Sequence, residues 1–308
     1  MIKEFNLSEF LYMQGKIDLR KLVVDRINAL GINPDKNLGQ HFLVDQEALN
    51  TLVNSLVAGA VVIEIGAGVG QLTEALAEKA GRVISIEIDR RYEPILTQIE
   101  KHHPNVQIIY NDALLLDFFL LVGESGRHQP RQIVQIIASL PYHITEPFLH
   151  KITEFPMHNA TLIVGKSLAE AIKVEDEENQ AFGQLTLLVH AFFESEVLKT
   201  VGKRGFFPVP RTDSAIIRLT PKTENRIKSD RRIFVLRRLF RTARRSPLVK
   251  NCLKEGLIEF AQLKGERLTQ NQARAIVSQM GIPNEVLSKP FQQLSNDYLR
   301  ILSKALRQ

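Results

Sequence analysis

Hydrophobic positions follow two different periods along this chain, and the change from one to the other divides it. From residue 61 to about 220, short, mostly apolar runs alternate with stretches of helical spacing. Val61-Val62-Ile63-Glu64-Ile65, "RVISIEID", "NVQIIYND", Ile133 to Ala138 and "ATLIVG" read as five strands buried on both faces. Between and after them, Leu72, Ala75, Leu76 and Ala80, then "YEPILTQIEKHH", "ITEPFLHKI", "KSLAEAIKV" and "FGQLTLLVHAFF" predict helices. Gly81 is expected to stop the first helix and Thr145 to cap the third. Strands alternating with helices predict an α/β fold with a parallel sheet. "FESEVLKTV" and "SAIIRLTP" read as a closing antiparallel pair, which makes seven strands. "GKRGFFPVPRTD" joins them and is stiff and aromatic. "GESGRHQPR" at 123–131 and the acidic "EDEEN" read as loops.

The ends of the chain follow the helical period alone. Leu19, Leu22, Val23, Ile27 and Leu30 share one face, with Asp18 as N-cap, Gly31 as terminator and Pro34 beyond. This is read as a packing arm without chemistry of its own. Asp45 is expected to cap a helix carrying Leu49, Leu52, Val53 and Leu56. The segment from Asn37 to Leu43, polar and aromatic, reads as a linker on composition. From about 221 onward the pattern predicts helices only, two of them capped at Thr269 and Ser295. The expected boundaries are an N-terminal helical arm at 1–35, a sheet domain at 36–220 and a small helical domain at 221–308.

Composition adds little until the charge is located. The 308 residues suffice for two domains, and 44% hydrophobic with 24% charged residues is ordinary for a globular protein. The single cysteine, Cys252, excludes an internal disulfide and fits a reducing compartment. No apolar run reaches the length of a membrane span, and Glu4 and Glu9 suit neither a secretory nor a transit peptide. The chain is expected to be cytoplasmic, with no membrane partner and no metal. Its net charge of +6 is unevenly placed. Residues 221–308 hold 19 Lys/Arg against 7 Asp/Glu, whereas the rest hold 21 against 27. Between Arg226 and Arg245 there are nine basic residues and one acid. That bias exceeds what lacing by salt bridges needs, so Arg237, Arg238, Arg241, Arg244 and Arg245 are expected to face phosphates. The plain alternative is a solvated face.

Three places carry candidate chemistry. After the first strand, Gly66-Ala67-Gly68-Val69-Gly70 opens a helix, where free N–H groups and bare backbone favour a ligand. Glu87 ends the next strand 21 positions after Gly66, where a carboxylate can take both ribose hydroxyls of an adenosine. The spacing is G-x-G-x-G, with Gln71 where a dinucleotide site would place its third glycine. This leans toward S-adenosylmethionine and away from an NAD-dependent oxidoreductase. A tight turn without ligand is the alternative. Asp112, ending the third strand, can reach an adenine amino group or simply cap the next turn. Ser139-Leu140-Pro141-Tyr142 follows the fourth strand, beside that crevice, and by itself would read as a packed turn. Phe206 to Pro210 is either a hydrophobic plug or the wall of a base pocket, with Phe207 the candidate residue.

Together these pieces resemble the rRNA adenine dimethyltransferases of the KsgA type, from about Lys36 onward. The matching motifs are "LGQHFLVD", "EIGAGVGQLT", "IEID", Asn111-Asp112, "SLPYHIT" and "FFPVPRTDSAIIRL". The resemblance implies a seven-stranded, Rossmann-like class I methyltransferase domain with a small all-helical C-terminal domain that helps hold rRNA. It implies N6-dimethylation of two adjacent adenosines near the 3′ end of small-subunit rRNA, by a monomer acting on a 30S-type precursor particle. The sister group that methylates large-subunit rRNA shares most motifs but has a shorter C-terminal domain. Cofactor contacts carry over to His41, Leu43, Gly66, Gly68, Glu87, Asp112 and Ser139. Catalytic positions are Ser139, Leu140, Pro141 and Tyr142. The chain departs from the family in having Ser139 where Asn is usual, in "GKSLAEAI" at 165–172, and in Ser246-Pro247. A ribosome-assembly factor with reduced methylation is therefore the second expectation.

Overall fold

The computed structural model describes residues 18–35, 38–123, 133–173, 183–242 and 247–307. By its contacts the chain divides into two compact units. One comprises Met1–Ala169 and Glu196–Leu219, the other Glu170–Ser195 and Thr220–Gln308. Residues 170–195 thus group with the C-terminal helices, although the sequence pattern drew a single boundary at 220.

In the first unit, helix α1 (Leu19–Leu30) starts where the Asp18 side chain accepts the Lys21 amide at 2.8 Å, and it ends at Gly31 in the left-handed region. A two-residue strand β1 (Phe42–Leu43) leads to α2 (Gln46–Asn54), capped by Asp45. Strands and helices then alternate: β2 (Val61–Ile65), α3 (Gln71–Ala77), β3 (Arg82–Glu87), α4 (Glu93–His102), β4 (Val106–Tyr110), α5 (Phe118–Val122), β5 (Val134–Ser139), α6 (Thr145–Ile152), β6 (Asn159–Gly165) and α7 (Lys166–Ile172). After α8 (Gln184–Phe192) come β7 (Phe193–Val201), β8 (Phe206–Phe207) and β9 (Ser214–Pro221). The seven-stranded sheet has the order β4-β3-β2-β5-β6-β9-β7. Its first five strands are parallel and β9 runs antiparallel to β6. Every residue of β2 is buried, Glu64 among them, which is why its apolar residues do not alternate with exposed polar ones. Each aliphatic side chain so buried contributes roughly 1.5–3 kcal/mol. Among the described residues no helix is long and apolar enough to cross a membrane.

Three local expectations change. Helix α3 ends at Ala77, before Gly81, whose N–H instead donates to the Ala60 carbonyl at 2.9 Å. A Cβ at Gly81 would lie 2.5 Å from the Gly59 carbonyl oxygen, so that glycine serves a backbone approach rather than a helix stop. Thr145 is the first residue of α6, not its cap. Finally, the linker 37–43 contains β1, which pairs antiparallel with β8 in the aromatic connection: Phe42 opposite Phe207, Leu43 opposite Phe206. Two residues per strand are too few to show a period.

The second unit contains α8, α9 (Glu224–Ser229), α10 (Arg231–Thr242), α11 (Val249–Leu263), α12 (Gln270–Gln279), α13 (Asn284–Leu287) and α14 (Asn296–Arg307). Phe240 stands edge-on to both Phe192 and Phe291, with ring centres 6.1 and 4.9 Å away. Thr269 caps α12 as expected, and with Gln272 it completes a capping box. Residues 1–17 of the arm, most of the loop 123–131 and the acidic "EDEEN" lie outside the described residues.

Candidate active site

In the sheet, the strand order reverses between β2 and β5, where ligands of doubly wound folds collect at the carboxyl ends. The glycine turn leaves β2 at this point. Gly66, Gly68 and Gly70 all have positive φ, at 83°, 55° and 81°. At Gly68 space is also short, since a Cβ would lie 2.9 Å from the Phe42 ring.

Glu87, at the end of β3, is only 5% exposed. Its Oε2 accepts the Gly68 N–H at 2.7 Å and its Oε1 the Asp89 N–H at 2.8 Å. A carboxylate has about four lone-pair sites, so acceptor capacity remains for a ligand's hydroxyls. Burial pushes the Glu87 carboxyl above its ordinary value, against the pull of these amides. Asp112 follows β4, and its Oδ1 accepts the Leu114 N–H at 2.8 Å. It therefore caps the next turn while also facing the crevice.

His41, Leu43, Gly66, Gly68, Glu87, Asp112 and Ser139 all line one cavity of about 220 Å³. A second cavity of about 620 Å³ is lined by Ser139, Leu140, Pro141 and Tyr142, with Phe206, Pro208, Val209, Arg211 and Ser214. His41, Ser139 and Pro141 belong to both linings, so Ser139 sits at their border. The Tyr142 hydroxyl shares a 2.8 Å hydrogen bond with Ser214 Oγ, and the Leu140 N–H reaches the Ile163 carbonyl at 3.3 Å. These bonds tie the Ser139–Tyr142 turn to β9 and β6. His41 Nδ1–H donates to the Pro208 carbonyl at 2.7 Å, so a residue that lines both cavities is tied to one that lines the second. Phe207, expected in the pocket wall, is not among the lining residues; it packs against the core. Phe206, itself a member of that core cluster, and residues after the strand supply the wall.

The ribosomal RNA adenine dimethylase family profile matches residues 32–275. The chain belongs to that family. It is 34% identical over 218 residues to the ribosomal RNA small subunit methyltransferase A of Clostridium acetobutylicum, covering 68% of this chain and 76% of the relative. The protein of that name from Geobacillus thermodenitrificans is 35% identical over 230 residues, 72% of this chain and 77% of its own. Among solved structures, a dimethyladenosine transferase from Plasmodium falciparum matches with a TM-score of 0.55 at 23% identity, over 85% of this chain and 96% of that one. The 23S rRNA methyltransferase ErmE matches at 0.51 and 23%, over 87% and 100%. These two likenesses show the shared fold, a seven-stranded Rossmann-like methyltransferase sheet with C-terminal helices.

In this dimethylase the arginine helix differs from the sequence expectation. Arg238 donates to Glu255 and Glu259 of α11, so one member of the expected phosphate face is engaged within its own unit. Its partners stand on the following helix, which a charge count confined to 226–245 does not see. Arg237 stacks over the Phe192 ring at 4.4 Å, and burial pushes its guanidinium down to about 10. Arg241 is exposed. Arg244 and Arg245, with Ser246, lie outside the described residues.

Sequence reasoning also missed a polar brace beside the first cavity. Gln40 Nε2 donates to Asp89 Oδ2 at 2.7 Å, while Gln40 Oε1 accepts the Tyr92 hydroxyl at 2.8 Å and the Asp35 N–H at 2.7 Å. Burial acts to raise the Asp89 carboxyl, but hydrogen bonds from Arg91 and Gln40 together hold it below its ordinary value. The available signal was a glutamine among apolar and aromatic neighbours in "LGQHF", followed far along the chain by the paired acids of "IEID".

Proposed function

We propose that this chain uses S-adenosylmethionine to dimethylate N6 of two adjacent adenosines near the 3′ end of small-subunit rRNA. It does so in the cytoplasm, as a monomer acting on a 30S-type precursor particle, as a step in small-subunit biogenesis. The observation that carries this reading is the Ser139–Tyr142 turn on the border of two cavities, one of them lined by the glycine turn, Glu87 and Asp112. Family membership and the small-subunit names of the relatives support it.

The residues present fit the cofactor. The turn carries no side chain at Gly66, Gly68 or Gly70, and Glu87 retains acceptor capacity next to it. Glu87 would hold the ribose hydroxyls, Asp112 the adenine amino group, and His41 and Leu43 the opposite wall. Bound there, S-adenosylmethionine supplies an electrophilic methyl on sulfonium sulfur. The target adenine leaves its stack and enters the second cavity, where Tyr142 offers a ring to stack on. Its exocyclic nitrogen is a poor nucleophile because the lone pair is delocalised into the ring. The Leu140 carbonyl and the Ser139 hydroxyl accept its N–H bonds and favour tetrahedral geometry, while Pro141 fixes the turn. Positioning then supplies most of the acceleration. The helical domain, with Arg241 on its surface, would hold the rRNA backbone.

Ser139 favours one second reading, an assembly factor that binds the same RNA with reduced methylation. Primer extension across the 3′-terminal hairpin separates the two, using under-methylated small-subunit particles incubated with the protein and S-adenosylmethionine. Stops at two adjacent adenosines are the expected result. Particle binding without stops would refute the enzymatic reading and leave the second.

A further inference from the structure

We propose that Arg26 is a positioning residue of the cofactor cavity, so that helix α1 belongs to the methyl-donor site rather than being a packing arm. The proposal rests on the cofactor reading above. Arg26 is fully buried, at 0% exposure. A buried guanidinium is costly unless it is paired, so what it pairs with defines its role. Nη1 donates to the Val69 carbonyl at 2.8 Å, and Nη2 donates to Glu74 Oε2 at 2.6 Å. Val69 lies inside the glycine turn, between Gly68 and Gly70. Glu74 lies in the first turn of the helix that the glycine turn opens.

The turn needs such support. Helix α3 is seven residues long, and its N-cap, Gly70, has no side chain to cap it. Three glycines at positive φ give this stretch little conformational preference of its own. The Gly68 N–H is held by Glu87. The Val69 carbonyl is held by Arg26. Two adjacent residues of the turn are thus fixed by two charged side chains, one from β3 and one from α1. Helix α1 is itself anchored, since Leu19, Leu22, Val23 and Ile27 all lie in the core cluster of this unit. The guanidinium is therefore delivered in place by apolar packing. The Val69 carbonyl and the Gly68 amide stand on either side of one intervening peptide, so releasing the first loosens the backbone that presents the second to Glu87.

A purely structural arginine and a positioning arginine differ in what they disturb. Arg26→Met, Arg26→Lys and Glu74→Gln would be made in the full-length chain. The dissociation constant for S-adenosylmethionine would be measured by calorimetry, alongside kcat and the KM values for cofactor and for RNA particle. Circular dichroism would confirm that each variant is folded at the assay temperature. Arg26→Met is expected to weaken cofactor binding about tenfold or more, the loss of a charged hydrogen bond. kcat at saturating cofactor and the KM for RNA should stay within about twofold. Arg26→Lys, which keeps the charge and one donor, should recover part of the loss. A folded Arg26→Met with the original affinity would overturn the proposal. If Arg26→Met does not fold, Glu74→Gln decides. Glu74 is partly exposed, and its substitution should weaken binding about threefold through release of the ion pair; unchanged affinity there overturns the proposal. Absence of binding by the unsubstituted protein would instead remove the cofactor reading itself, and this proposal with it.

Discussion

Replacing Glu64 by Gln tests how the sheet carries its most deeply buried acid. Glu64 lies in the middle of β2 at 0% exposure. Its Oε2 accepts hydroxyl hydrogens from Thr73 at 2.7 Å and Ser85 at 2.6 Å, while Oε1 has no hydrogen-bond partner. Burial pushes this carboxyl up from an ordinary 4.5 to about 7; the two hydroxyls pull it down and Glu87 pushes it further up. The folded state therefore holds the proton more tightly than the unfolded chain does. The resulting stabilisation is fully present below pH 4.5, declines as pH rises toward 7, and is lost above it. At about 1.4 kcal/mol for each pH unit between those values, the change amounts to about 3 kcal/mol. Glutamine keeps the shape and the accepting oxygen and cannot ionise. Urea unfolding of both proteins at pH 5, 6, 7 and 8 gives the difference directly, because every other titrating group is shared. The variant should gain on the parent by about 3 kcal/mol from acid to alkaline pH, most of it before pH 7. Curves that stay parallel across that range would refute the account.

Ser139→Asn should preserve or raise turnover in the methylation assay, because it lengthens the acceptor toward the target nitrogen; a large loss would contradict the assigned role. The two arginines of α10 should separate cleanly. Arg238→Ala, which strands Glu255 and Glu259, should lower the stability of the helical unit by about 1 kcal/mol in thermal unfolding, with little change in RNA affinity. Arg241→Ala should leave the melting temperature unchanged, weaken RNA binding and reduce the slope of log K against log salt by about 1.

What could be read from the chain alone was local. The unit from Val61 to Asp89 was legible because burial on both faces makes a strand mostly apolar without alternation, and because the glycine turn and Glu87 lie at a set distance along the sequence. Strand ends placed Asp112 and Ser139 beside the crevice, but their expected roles came only with the family resemblance. What was hidden depends on partners far apart. The β1–β8 ladder has two residues on each side and no period. Arg26 went unremarked among the apolar positions of its helix, because its partners are 43 and 48 residues away. Arg238 sits in a local excess of positive charge whose neutralising acids come from the next helix. The Tyr142–Ser214 bond spans 72 residues and has no sequence signal.

The β1–β8 pairing closes the crevice from a distant part of the chain. The glycine turn, Glu87, Asp112 and Ser139 all precede residue 140. The wall that faces them, from Leu38 to Leu43, is tied by the Val44 N–H to the Gly205 carbonyl, by Phe42 opposite Phe207, and by His41 to Pro208. A nascent chain that stops short of Pro208 has the parts of the cofactor crevice without the clasp that shuts them together. The crevice is therefore completed only by residues that follow its strand-end groups in the chain, so a truncation before Gly205 that leaves all of those groups in place still removes the clasp.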